Sequence, residues 1–365
     1  MRLTRHSMSR LPRAGGAPSF LLNQSSQAAA TPPPPLPPQS TRLAIVEAMR
    51  GFAAISVACF HFSGRFDLAI PRAVAALGWL GVDVFFVISG FVIPLSLHGR
   101  GYRIGQFPTF MVRRMVRLEP PYLASIALLI VLWHLSVLRP GFAGAAPTYD
   151  LAQIGFHLFY LIPLTEHAWL SPVYWSLAYE FVFYILVGLT FSTLIAHRSE
   201  LTGAVLAIVA VFFHWLQERL GLDPYLVARV LEFGVGIMLM RLVVDGPHRF
   251  GANLMLLGLA IVATGLSGGW RLGLTAGAAA AIIYACREVQ LGRWAYVIGG
   301  CSYSLYLTHT MIGGRIVNYT RSWAGDSDAI AVALIVLALA VSFAFALLFA
   351  YCIERPSRRL SQFSR

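Results

Sequence analysis

Lysine is missing altogether, and charge of either sign is scarce. Of 365 residues only 12% are charged, the 28 basic residues are all arginine, and 57% are hydrophobic. A soluble globular domain carries about 25% charged residues, so this composition points to lipid rather than water as the surrounding solvent. Paired-cysteine spacing is also missing. Cys59, Cys286, Cys301 and Cys352 all fall in apolar segments without a CxxC, which leaves them as buried small hydrophobes. Neither an HxxxD nor an HExxH spacing occurs, so no metal is expected, and no other resident cofactor.

What is present is a recurrence of apolar runs of about 20 residues, the length a helix needs to cross the hydrocarbon core. They fall near 43–63, 76–97, 118–138, 173–196, 201–217, 225–243, 251–268, 270–286, 294–317 and 328–353. A further piece, Leu151 to Leu164, is shorter, carries His157 and is broken by Pro163. Arginine placement decides its status. If it lies at the interface, the N-terminus, the 98–117, 244–250 and 287–293 loops, and the tail with Arg355, Arg358, Arg359 and Arg365 share one side. That is the positive-inside arrangement.

The expected fold is therefore all-α: a polytopic membrane helical bundle of about ten transmembrane helices with cytoplasmic termini. Residues 1–42 contain Arg2, Arg5, Arg10 and Arg13 and a proline run from Thr31 to Pro38. They are expected to form a disordered cytoplasmic segment, not a signal peptide. Residues 43–356 would be the membrane domain and 357–365 a short basic tail. Topology accounts for the net charge of +12, so nucleic acid is not an expected partner.

A charge at membrane depth costs about 2.5–3.5 kcal/mol on insertion scales and marks function by default. The set comprises Glu47, Arg50, His61, Asp83, Glu180, Arg229, Glu232, His309 and Arg315. Arg50 and His61 share one face of the first span, separated by about 16 Å along its axis. Glu47 lies one turn before Arg50, within reach of an ion pair. The bland alternative is a structural Arg–Glu pair with a histidine at the interface. Arg229 and Glu232 read as an i,i+3 pair.

Topology puts His61, Asp83, Glu180 and His309 at a similar depth near the outer side. Ser176, Glu180 and Tyr184 fall on one helical row, and Ser302, Tyr306 and His309 on another. A titratable cluster of this kind suits general acid–base chemistry. His61 would act as general base or carry the acyl group transiently. Glu180, Asp83 or His309 would orient it or bind an acceptor, with Trp175, Ser176 and Tyr306 as further acceptor contacts. On the opposite side Arg113, Arg114 and Arg117, with Arg50 deeper, offer guanidinium forks suited to phosphates. They define a route for a phosphorylated donor such as acyl-CoA.

Five segments carry a resemblance. They are Glu47 to Ala54 with His61, Gly81 to Phe91, Arg113 to Pro120, Trp175 to Glu180, and Ser302 to His309. In this order the sequence resembles the acyltransferase type 3 family of bacterial membrane acyltransferases over nearly all of residues 43–360. The resemblance implies transfer of an acyl group, usually acetyl, from cytoplasmic acyl-CoA to a hydroxyl on an extracytoplasmic or membrane-associated carbohydrate. Secondary metabolites such as macrolides are the alternative acceptors. It also implies an inner-membrane location and an essential pair at Arg50 and His61. Two positions depart from the family pattern: Glu47, where an aspartate is common, and Glu119, where an apolar or aromatic residue is usual. No C-terminal hydrolase-like domain is expected. A transporter or flippase using the same charges is the competing class, but no inverted repeat supports it.

Overall fold

The computed structural model describes residues 43–138, 148–220 and 225–363. The expected N-terminal segment 1–42 lies outside the described residues. Within them all regular structure is helical: α1 Ala44–Ser63, α2 Ala69–Gly78, α3 Gly81–Gly99, α4 Phe107–Val137, α5 Leu151–Leu158, α6 Trp175–Thr190 and α7 Ser199–Leu220. Then follow α8 Leu226–Val244, α9 Phe250–Gly268, α10 Trp270–Cys286, α11 Arg293–Gly300, α12 Ser302–Thr320, α13 Asp328–Phe349 and α14 Arg355–Phe363.

Six described stretches are long and apolar enough to cross a membrane, fewer than the ten expected: Ala44–Ser63, Ala69–Gly99, Ile104–Val137, Trp175–Ile195, Pro247–Gly268 and Asp328–Gln362. Two shorter apolar helices are Ser199–Phe212 and Trp270–Cys286. The buried α8 carries Arg229, Glu232 and Arg241, and α12 is rich in Ser, Thr and Tyr. Their polarity sets them apart, and both lie beside the site. The chain is a multi-pass membrane protein.

Close backbone approach holds the centre. A Cβ on Gly236 would collide with the Val87 carbonyl, and one on Gly90 with that of Phe233. Glycine alone lets α3 and α8 meet this tightly, as in small-residue crossings of membrane helices. At α1 and α11 a Cβ on Gly299 would strike the Glu47 carbonyl.

Three elements differ from expectation. The last-but-one span is broken at Cys301 into α11 and α12, where Gly299 and Gly300 weaken the helix and Ser302 Oγ donates to the Gly299 carbonyl at 2.8 Å. The third span starts at Phe107, well before residue 118, because its arginines are good helix formers and Pro108 suits the first turn. The C-terminal tail is the helix α14, packed against α4. The short piece near 151–164 is an eight-residue helix with a following 3-10 turn. At about 12 Å it is too short to cross. Asp150 Oδ1 caps it by accepting the Gln153 N–H at 2.6 Å.

Candidate active site

The last turn of α1 brings His61 beside His309 of α12, with ring centroids 5.2 Å apart and planes tilted by 41°. His309 is fully buried. Its Nδ1 lies 3.0 Å from the Leu305 carbonyl, one turn back on the same helix. A carbonyl can only accept, so Nδ1 carries the proton and neutral His309 keeps a lone pair on Nε2. That nitrogen is buried and has no hydrogen-bond partner among the described residues. Phe60 packs edge-on against His61 at 4.9 Å, and Phe62 against His309 at 6.0 Å.

A cavity of about 90 Å³ opens at His61, lined also by Val57, Phe60, Trp79, Val82, Pro172, Val173, Trp175 and Tyr306. That is room enough for a few waters or an acetyl group. Tyr306 is anchored by donating to the Val173 carbonyl at 2.9 Å, with Ser176 Oγ at 2.6 Å. Of the expected acceptor contacts, Trp175 and Tyr306 therefore line this cavity, and Ser176 braces Tyr306 from behind.

The expected common depth of four titratable groups divides three ways. Only His309 joins His61. Asp83, fully buried in the first turn of α3, pairs instead with Arg229 at 3.7 Å, and Glu232 approaches the same carboxylate. Arg229 is thus more than an i,i+3 partner of Glu232. Its guanidinium lies 4.0 Å over the Trp175 ring and 5.5 Å from Tyr225, so this buried group backs the tryptophan that walls the cavity. Glu180 accepts from Ser89 Oγ at 3.2 Å and from the Tyr184 hydroxyl. Tyr184 in turn lies 5.4 Å beneath Arg114. Glu180 therefore belongs to the arginine side of the bundle and makes no hydrogen bond with His61.

On that side Arg117 lies within electrostatic reach of Arg50, Arg114 and Arg358. Arg50 Nε is buried without a hydrogen-bond partner. The expected Glu47–Arg50 ion pair does not form, because the Glu47 carboxylate is turned against Gly299. In the loop after α3, partial burial and then the Arg114 and Arg113 guanidiniums hold Arg100 below the usual arginine value. Arg113 contributes at this loop edge, while Arg114 and Arg117 face the cluster. Like charges crowded this way favour an anion.

One residue here escaped the sequence reading. Glu354 is 1% exposed. It accepts from the Ser304 N–H at 3.2 Å and Ser304 Oγ at 2.5 Å, and it binds Arg358 one turn on. It thereby ties the C-terminal helix to α12 and aims Arg358 at the cluster. The signal was present as an acidic residue at the end of an apolar span followed by Arg at i+4.

The fold and the site define a multi-pass helical membrane protein with a half-buried His61 beside the buried His309 at one end of α1 and clustered arginines at the other. A family model described as an acyltransferase domain matches residues 43–351, and the chain belongs to that family, the acyltransferase type 3 family. It is 26% identical over 293 residues to the putative membrane-bound transacylase BcsY of Komagataeibacter xylinus, covering 72% of this chain and 71% of that protein. It is 29% identical over 161 residues to the acyltransferase MdmB of Streptomyces mycarofaciens, covering 41% and 39%. It is also 29% identical over 164 residues to the O-acetyltransferase OatA of Staphylococcus aureus (strain NCTC 8325 / PS 47), covering 42% and 25%. The chain thus spans about two fifths of MdmB and a quarter of OatA. No solved structure matches.

Proposed function

We propose that this protein is an inner-membrane O-acyltransferase. It moves an acyl group, acetyl in the first instance, from cytoplasmic acyl-CoA to a hydroxyl of an extracytoplasmic or membrane-associated carbohydrate. The observation that carries this reading is the division of α1 between an arginine cluster around Arg50 and a histidine pair at His61. Phosphates and a reacting hydroxyl need those two chemistries, and both stand on one helix. The O-acetyltransferase and transacylase relatives support acyl transfer.

In the reaction the donor's phosphates rest on Arg50, Arg114 and Arg117, and its thioester extends toward the His61 cavity. His61 removes the proton from the acceptor hydroxyl, with His309 beside it as a neutral acceptor. The alkoxide attacks the thioester carbonyl, the carbon–sulfur bond breaks, and the thiolate takes up the proton. Tyr306 and Trp175 shape the cavity that receives the acyl group. A secondary-metabolite hydroxyl would meet the same chemistry.

The test is acetyl-CoA consumption and acceptor acetylation in membranes carrying wild type, His61→Ala or Arg50→Ala. We expect His61→Ala to lose at least a hundredfold in rate and Arg50→Ala to lose donor affinity. Inserted variants that both retain full transfer overturn the assignment.

A further inference from the structure

Next to the arginine cluster lies a second polar pair. Glu119 stands two residues beyond Arg117 on α4, at the position where this sequence departs from its family's pattern. Pro120 and Pro121 follow inside the helix, so the Val116 and Arg117 carbonyls lose the amide partners four residues on. The chain at Glu119 is thus freed from a regular ladder on the inward side. Tyr160 approaches Glu119 from the segment after α5. It is buried, 6% exposed, and its φ of 56° is the sole positive value at a non-glycine residue among those described.

Packing holds that disfavoured backbone in place. The Tyr160 ring is stacked between Tyr122 at 5.2 Å and Phe181 at 5.1 Å. A left-handed tyrosine persists only where its surroundings over-determine it, and such residues cluster at binding sites. Despite their proximity, Glu119 Oε1 and the Tyr160 hydroxyl are both buried without a well-formed hydrogen bond. Buried polar atoms in native proteins have partners, so two orphans side by side call for one.

Their place in the bundle says what that partner is. Glu119 and Tyr303 lie within electrostatic reach of each other, and Tyr303 is likewise near Glu180, Glu354 and Tyr184. Tyr303 also donates to the Leu118 carbonyl at 3.1 Å. Tyr306 and His309 follow one and two turns further along α12, so the pair lies beside the helix that leads to the His61 cavity, two residues from Arg117. A donor anchored at Arg117 has its arm within reach of the pair.

Resting on the donor reading above, we propose that Glu119 and Tyr160 form a binding site for a secondary amide on the arm of the donor thioester. The carboxylate accepts the amide N–H and the phenol donates to the amide carbonyl. One acceptor and one donor side by side complement an amide, whereas a plain alkyl arm would leave both buried and unsatisfied. This makes the pair a specificity filter for amide-bearing acyl carriers.

The test is equilibrium binding to the purified full-length protein in lipid nanodiscs. The probes are acetyl-CoA and 3′-phosphoadenosine 5′-diphosphate, which keeps the phosphates but has no arm. We expect Glu119→Leu and Tyr160→Phe each to weaken acetyl-CoA about tenfold and to leave the arm-free nucleotide unchanged. Equal weakening of both ligands would show a merely structural role and overturn the proposal, as would no effect on either. Wild type that binds neither ligand would instead sink the donor reading itself, and this inference with it.

Discussion

A histidine whose Nδ1–H is committed to a carbonyl has one nitrogen left, and in His309 that nitrogen is buried beside the His61 ring. It can accept a proton or a hydrogen bond from His61 or from the acceptor hydroxyl, but it cannot donate while neutral. His309→Ala should therefore lower turnover about a hundredfold, with acetyl-CoA affinity unchanged, in steady-state kinetics on membranes. A fall in donor affinity of similar size would place His309 outside the chemical step. Glu354 makes the opposite kind of prediction. It serves Ser304 and Arg358 together in a buried setting, so Glu354→Gln removes a charge-assisted contact and leaves Arg358 without its carboxylate. We expect a loss of about 1–3 kcal/mol, read as a lower unfolding midpoint in detergent, with weaker donor binding because Arg358 is no longer held toward the cluster.

At the scale of helices, the crossing of α3 and α8 decides whether Asp83 meets Arg229. Gly90 and Gly236 sit where the two backbones touch, and nothing flexible can give way. Gly236→Val should cost on the order of 3 kcal/mol as overpacking. It should appear as a loss of folded, monodisperse protein, whereas Gly251→Ala, in open space on α9, should leave yield unchanged. The α5 cap adds a pH prediction. The Gln153 N–H, ahead of other contacts, holds Asp150 below the usual carboxylate range. A depressed value means that the cap is complete at neutral pH and weakens as pH falls through that range. Protection factors over 151–158, taken relative to the intrinsic exchange rate at each pH, should then fall on acidification, and Asp150→Ala should lower them most at neutral pH.

Much of this was legible beforehand. The helices over 44–63, 226–244, 250–268 and 270–286 match runs that hydropathy marks directly, because lipid imposes a single rule on every spanning segment. Of the four groups expected at a similar depth, His61 and His309 do meet, His61 from the last turn of α1 and His309 from the middle of α12. The failures share a cause. Depth along one helix is a local quantity, but the neighbour across an interface depends on rotation and crossing. Glu180 was assigned by depth to the His61 group and found bound across the interface to Ser89 of α3, with Tyr184 of its own row; Glu47 was assigned to Arg50 by spacing and found against Gly299. Neither side chain's direction is encoded in its own helix.

For the whole molecule, the proposed function makes the arginine cluster and the histidine cavity two halves of one transfer path that open to opposite compartments. The proposed topology, with the arginine half on the cytoplasmic side, rests on two features. The 98–117 segment and the C-terminal helix carry the arginine excess expected of cytoplasmic loops, and α14 packs against α4 at that same end. The capped α5 and the loop after it close the other end, with Leu170 and Tyr122 both bound to the buried His157. Single cysteines at the exposed positions Arg103 and Glu166, introduced after the native cysteines are replaced, turn this into a measurement. A membrane-impermeant maleimide added to intact cells should label Glu166→Cys and spare Arg103→Cys, and inverted vesicles should show the reverse. Both sites labelled from one side would put donor and acceptor in the same compartment, and the roughly 16 Å between Arg50 and His61 would no longer carry an acyl group across the bilayer. The expected result has a mechanistic consequence. The nucleotide end of the donor stays with the arginines, only its arm enters the bundle, and the acyl group alone reaches the far side.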